Sequence, residues 1–225
     1  MSKYFTMYTS AELICLITAL VCLFKTKELH WRLLIPFLLL ITMVEFASIP
    51  LKALYRANPI PINSTVWLYN LLLPIQIGVF VAVFNGILKK YAAYSKVLIL
   101  AGGGFLYLFY IYELLTNDAG IFNFNSTTYS AMSVLLVVYS LYYYYVLLKS
   151  EEYADLKSLP EFWWVTGTLF FFFGTTAFNL FYTYLLKSYT GNKLYLFYIR
   201  DLLIVILYGC WSYAFICKRW ITSNK

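Results

Sequence analysis

The chain has 225 residues, of which 62% are apolar, 21% aromatic and 12% charged, with a formal net charge of +7. That is about half the usual supply of charged residues, and the mean hydropathy is +0.72; together they exclude a soluble globular fold, a disordered or collagenous chain, and a secreted disulfide scaffold. An integral membrane protein remains, and at about 20 residues per spanning helix the chain holds seven or eight spans with short connections, so 1–225 reads as one all-α transmembrane domain.

Apolar runs bounded by charge or turn residues predict seven spans: Ala11 to Phe24, Trp31 to Leu51, Val66 to Leu88, Val97 to Leu115, Tyr129 to Leu148, Phe162 to Leu186, and Tyr195 to Cys217. Lys25-Thr26-Lys27, Asn58-Pro59-Ile60-Pro61, Lys89-Lys90, Asn117-Asp118-Ala119-Gly120, Glu151 to Pro160 and Thr190-Gly191-Asn192 punctuate them. The first run is short and carries Glu12 near its start. It lacks the basic leader and clean cleavage site of a signal peptide, so it is taken as a helix.

Loops after spans one, three, five and seven hold eleven Lys and Arg residues, against six on the other side. The positive-inside rule then places the N-terminus outside and the C-terminus in the cytoplasm. The positive charge suits anionic headgroups, and no basic soluble module exists to hold nucleic acid. Trp31, Trp163, Trp164 and Trp220 are expected at the inner interface, Trp67 and Tyr129 at the outer one. The run Tyr142 to Tyr145 covers every side of a helix, so part of it must face protein or headgroups.

Charged and amide side chains in hydrocarbon are costly and normally face the bundle interior. In the expected topology Glu45 on span two, Asn70 and Gln76 around Pro74 on span three, Glu113 on span four, Asn179 on span six, and Arg200 and Asp201 on span seven share the outer half. The inner half is nearly bare, Asn85 excepted. These groups are expected to line a polar, ligand-binding pocket open to the extracytoplasmic side, with Arg200 paired to Glu45 or Glu113. Asn70 and Asn179 are equally suited to tie helices together, and Glu113, Arg200 and Asp201 to sit wet at the interface.

Several chemistries fall away. One histidine, His30, cannot supply the paired ligands of a zinc peptidase, and it lies in a loop rather than at catalytic depth. Span seven has no Lys between Lys193 and Lys218 for a retinal Schiff base. Cys15, Cys22, Cys210 and Cys217 have no His or acid beside them and read as packing residues. No enzyme, metal or cofactor is expected. Gly102-Gly103-Gly104, and Gly167 with Gly174, read as seams for close helix approach. Asn63-Ser64-Thr65 and Asn125-Ser126-Thr127 match the N-glycosylation pattern but read as helix N-caps.

Glu45, Trp67-Leu68-Tyr69-Asn70-Leu71, Phe122-Asn123-Phe124-Asn125 and the run Leu159-Pro160-Glu161-Phe162-Trp163-Trp164-Val165-Thr166-Gly167 belong to one pattern. It resembles a group of poorly characterised seven-helix membrane proteins common in Bacteroidota, some similar to the membrane sensor region of histidine kinases. The resemblance implies a sensory or accessory role. The sequence given stops seven residues after Lys218, so no kinase domain is expected. Output would pass through a partner, a histidine kinase or another membrane signalling protein, or through a homo-oligomer, alongside membrane lipids. The alternative is a small-solute or ion transporter or channel. That reading needs polar groups near the midplane and related halves, and no convincing internal repeat is present.

Overall fold

A computed structural model describes residues 6–90, 95–149, 156–188 and 194–223, with the backbone alone for 179–188, 194–197 and 222–223. Among the described residues the regular structure is entirely helical: α1 Met7–Leu23, the one-turn α2 Leu29–Arg32, α3 Leu34–Ala57, α4 Val66–Leu88, α5 Ser95–Thr116, α6 Ser126–Lys149, α7 Pro160–Ser188 and α8 Leu194–Ser223. Short 3-10 turns occupy Pro61–Asn63, Gly120–Phe122 and Leu156–Ser158. Seven helices are therefore long, α2 being a single turn ahead of α3.

Among the described residues five segments are long and apolar enough to cross a bilayer: Leu29–Ala57, Val66–Leu88, Ser95–Thr116, Ser126–Lys149 and Tyr198–Ile221. With lipid as solvent, a helix answers the demand that each backbone polar group be paired inside the segment. The class this defines is an all-helical, multi-pass membrane protein. α1 is shorter, 17 residues, or about 26 Å of rise, at the lower limit for a span.

Span three and α4 coincide, because Thr65 and Lys89-Lys90 bracket one apolar run. Elsewhere the helices outrun their apolar stretches. α1 begins four residues earlier than expected, at a capping box in which the Thr6 hydroxyl accepts from the Thr9 N–H and the Thr9 hydroxyl from the Thr6 N–H. α3 continues six residues past Leu51, through Pro50, and ends at extended Asn58, since Lys52 and Arg56 are good helix formers outside the hydrocarbon.

The chain forms two compact units, one from Lys27–Met132 and one from Phe5–Thr26 with Ser133–Lys225. The division falls inside the continuous helix α6.

In the Lys27–Met132 unit, α4 is the central element. Its buried Asn70, Leu73, Ile77, Phe80, Phe84 and Ile87 recur at three- and four-residue steps. α3 runs antiparallel to it, with Tyr69 at Glu45 and Phe80 edge-on to Phe37 at a centroid distance of 6.0 Å. α5 runs antiparallel on another side, joined through Asn70–Tyr110 and Pro74–Tyr107. Gly103 allows this approach, since a Cβ there would stand 2.8 Å from Val81 Cγ2. Trp31, expected at the headgroups, is instead fully buried in protein.

In the other unit α7 and α8 form an antiparallel pair. Lys157 O meets the Cys217 thiol, Trp164 stacks on Trp211 at 5.4 Å and 14°, and Gly174 sits against Leu203. Trp164, expected in the inner aromatic belt, is therefore a core residue with no exposed surface. Trp220 is 70% exposed. The four tyrosines split likewise: Tyr143 is buried, Tyr144 is hydrogen-bonded to Thr166 at 2.7 Å, and Tyr145 faces outward. Cys15 on α1 is buried against Ser212 of α8, and all four cysteines are free.

The seam Gly167–Gly174 is where α7 meets α8. A Cβ on Gly167 would stand 2.7 Å from Cys210 Cβ and 3.1 Å from the Leu207 carbonyl, a backbone atom that cannot swing away. Gly167→Ala should therefore destabilise by about 1–3 kcal/mol despite the better helix propensity of Ala. Gly104→Ala, where nothing lies within 4 Å, should be neutral or stabilising by up to about 1 kcal/mol. Thermal unfolding of both variants in one detergent checks the difference in sign.

Candidate functional site

The sequence-selected polar groups divide between the two units. Four lie in the Lys27–Met132 unit, on α3, α4 and α5, and three on α7 and α8.

Pro74 is the origin of the first group's geometry. Having no N–H, it leaves the carbonyl four residues earlier, that of Asn70, without its helical donor. The Tyr110 hydroxyl of α5 donates to that carbonyl at 3.1 Å. One turn along, Tyr107 donates to the Pro74 carbonyl at 2.8 Å. The second bond needs Gly78, whose absent Cβ would lie 2.8 Å from the Tyr107 hydroxyl. Two α5 tyrosines thus repair and brace the proline level of α4.

Asn70 itself is fully buried. Its Nδ2 donates to the Ile121 carbonyl at 2.7 Å and to the Asn123 carbonyl at 2.6 Å, and its Oδ1 accepts from the Asn125 N–H at 3.2 Å. One carboxamide therefore holds the loop from Ile121 to Asn125, satisfying backbone groups that would otherwise be buried unpaired. Its partners are loop groups rather than a neighbouring helix, so the carboxamide acts as a loop clamp.

Glu113 stands one turn beyond Tyr110 on α5. Its Oε1 accepts from the Thr127 N–H at 3.0 Å, and its Oε2 from the Thr128 N–H at 2.8 Å and the Thr128 hydroxyl at 2.6 Å. The carboxylate caps α6 from a neighbouring helix, where the positive end of the helix dipole favours a negative charge. Asn125 was expected to perform this capping. It does hold the N-cap position, its carbonyl accepting from Tyr129 N–H at 3.0 Å, but its side chain makes no cap bond. At α4 the N-cap residue Thr65 likewise makes no side-chain bond, and Ser64 Oγ accepts from Val66 N–H instead.

Glu45 and Gln76 differ from these. Glu45 is half-buried and accepts one bond, from the Tyr69 hydroxyl at 3.0 Å. A carboxylate offers about four acceptor directions, so most of its capacity is unspent. Gln76 lies two turns after Tyr69 on the same face of α4, between the residues that meet Glu45 and Phe37. It is half-buried and makes no hydrogen bond among the described residues.

On α8, Arg200 Nη2 lies 3.7 Å from Asp201 Oδ1, with the Arg200 side chain 54% exposed. This is an ion pair between chain neighbours in which the guanidinium is exposed and the Asp201 Oδ1 is buried. The side chain of Asn179 on α7 lies outside the described residues, as do Glu151-Glu152. Among the described residues no group of three or more His, Cys, Asp or Glu is arranged to hold a metal.

Sequence reasoning did not single out Tyr107, Tyr110 or Thr128, and it included Tyr69 only within the run Trp67-Leu68-Tyr69-Asn70-Leu71. One signal for Tyr110 was legible, since Pro74 must orphan the carbonyl of residue 70, and some donor has to reach it. Comparisons of the chain with protein-family models, curated proteins and solved structures find no match.

Proposed function

We propose that this chain is a receptor-like sensor or accessory module of a bacterial inner membrane, binding a small ligand on its extracytoplasmic side and signalling through a partner protein. The observation that carries the reading is the contrast among the polar groups of the Lys27–Met132 unit. Asn70, Tyr110 and Glu113 are bonded into a frame on the α5 side of α4, while Glu45 and Gln76, toward α3, keep free hydrogen-bonding capacity in a half-buried setting. Unspent polar groups carried on a braced helix are suited to binding. The carboxylate selects a ligand with a cation or several N–H donors, and Gln76 adds a donor and an acceptor. The resemblance to Bacteroidota sensor regions and the N-outside topology belong to the same proposal, as does a partner such as a histidine kinase.

The test is a thermal-shift screen of small ammonium and guanidinium solutes on nanodisc-reconstituted protein. A ligand at 100 times its Kd should stabilise by about 2.7 kcal/mol, or roughly 5–10 °C. Glu45→Ala should weaken its binding about 10–100-fold with insertion unchanged. Wild-type affinity in Glu45→Ala overturns the site. Substrate-dependent flux into proteoliposomes overturns the sensor in favour of a transporter.

A further inference from the structure

The first turn of α6 holds two groups suited to one task. An N-cap side chain ordinarily accepts from the backbone N–H of the second or third helical residue. For α6, with Asn125 at the N-cap position, those residues are Thr127 and Thr128, the two whose N–H groups Glu113 takes. The Asn125 carboxamide, among the better capping groups, is fully buried beside them, and neither its Oδ1 nor its Nδ2 has a hydrogen-bond partner among the described residues. A buried, unsatisfied amide requires an explanation.

We infer that α6 has two interchangeable N-caps, the Glu113 carboxylate supplied by α5 and the Asn125 carboxamide of its own chain, and that exchange from the first to the second releases α5 from α6 without unwinding α6. Glu113 holds the N–H groups in the observed arrangement because a charged acceptor at a helix N-terminus is stronger than a neutral one. Asn125 is the reserve. Its backbone is fixed by Asn70, whose Oδ1 accepts from the Asn125 N–H, so exchange takes a side-chain rotation of Asn125 and withdrawal of Glu113 from the two N–H groups and the Thr128 hydroxyl. The Asn123 side chain, bonded to Asn117 Oδ1 at 3.2 Å, closes the loop independently of either cap. The device goes beyond the sensor reading: it mobilises Glu113, one member of the frame, but involves neither Glu45 nor Gln76, so its test reads out separately from ligand binding.

The experiment is amide hydrogen exchange at Thr127 and Thr128 in nanodiscs, on wild type, Glu113→Ala, Asn125→Ala and the double variant. With a reserve cap, Glu113→Ala should keep its protection within about twofold, and Asn125→Ala alone should match wild type. The double variant should lose about fivefold to tenfold, the effect of a missing cap. Restoring a strong acceptor, Asn125→Asp in the Glu113→Ala background, should return the protection. Two results overturn the inference: full loss of protection or unfolding in Glu113→Ala alone, or a double variant no worse than Glu113→Ala.

Discussion

Asn70→Ala should be among the most damaging single substitutions in the Lys27–Met132 unit. The side chain removed is fully buried and makes three hydrogen bonds to the loop, two to carbonyls and one from an N–H. Stranding those backbone groups costs about 2–4 kcal/mol, even allowing for the modest worth of single hydrogen bonds near a membrane. For a chain of this size that is a fall in Tm of roughly 5–15 °C. Because the loop leads directly into α6, exchange should also rise at residues 121–128. Tyr110→Phe, which removes one donor from the Asn70 carbonyl, should cost no more than about 1.5 kcal/mol. A Tyr110→Phe effect as large as that of Asn70→Ala would mean that the proline level, rather than the loop clamp, carries the stability.

Trp211→Ala should have the largest effect in the other unit, about 3–5 kcal/mol. The indole is buried, stacked on Trp164 and edge-on to Tyr208 at 6.1 Å. Its Nε1–H is shared between the Trp164 carbonyl and the Thr168 hydroxyl, each at 3.2 Å. Water-to-lipid transfer contributes little here, since lipid is as apolar as the core, so the loss comes from the cavity and the missing dispersion contacts. Trp220→Ala supplies the control. That ring is 70% exposed, and its removal should shift stability by no more than about 0.5 kcal/mol. Equilibrium unfolding in bicelles distinguishes them, and equal effects would contradict the burial of Trp211.

How far these features can be read from the chain depends on how local their causes are. Helix number and approximate place follow from apolar runs, and where charge abuts both ends, as at α4, the bounds coincide. α3 overruns its apolar run because hydropathy marks the hydrocarbon-compatible part of a helix, whereas hydrogen bonding continues through Lys52 and Arg56 to Asn58. The glycine seam on α7 was legible because small residues at spacing seven share a face. Trp31 and Trp164 were misplaced because an indole near the end of an apolar run has the same local signature at an interface and in a core. The polar positions could be chosen from sequence, but their partners could not. Asn70 reaches carbonyls more than fifty residues away, and Glu113 displaces a cap that the local sequence already supplies.

The division between the two compact units falls between Met132 and Ser133, within an unbroken run of helical hydrogen bonds rather than in a linker. Modular proteins exchange parts by recombination at flexible joints, where a crossover disturbs few interactions. Here a crossover at the boundary would splice two halves of one helix and would have to preserve its 3.6-residue phase, because adding or deleting a single residue rotates everything downstream by about 100°. A one-residue insertion within α6 should therefore disturb the fold more than one in the turn before it.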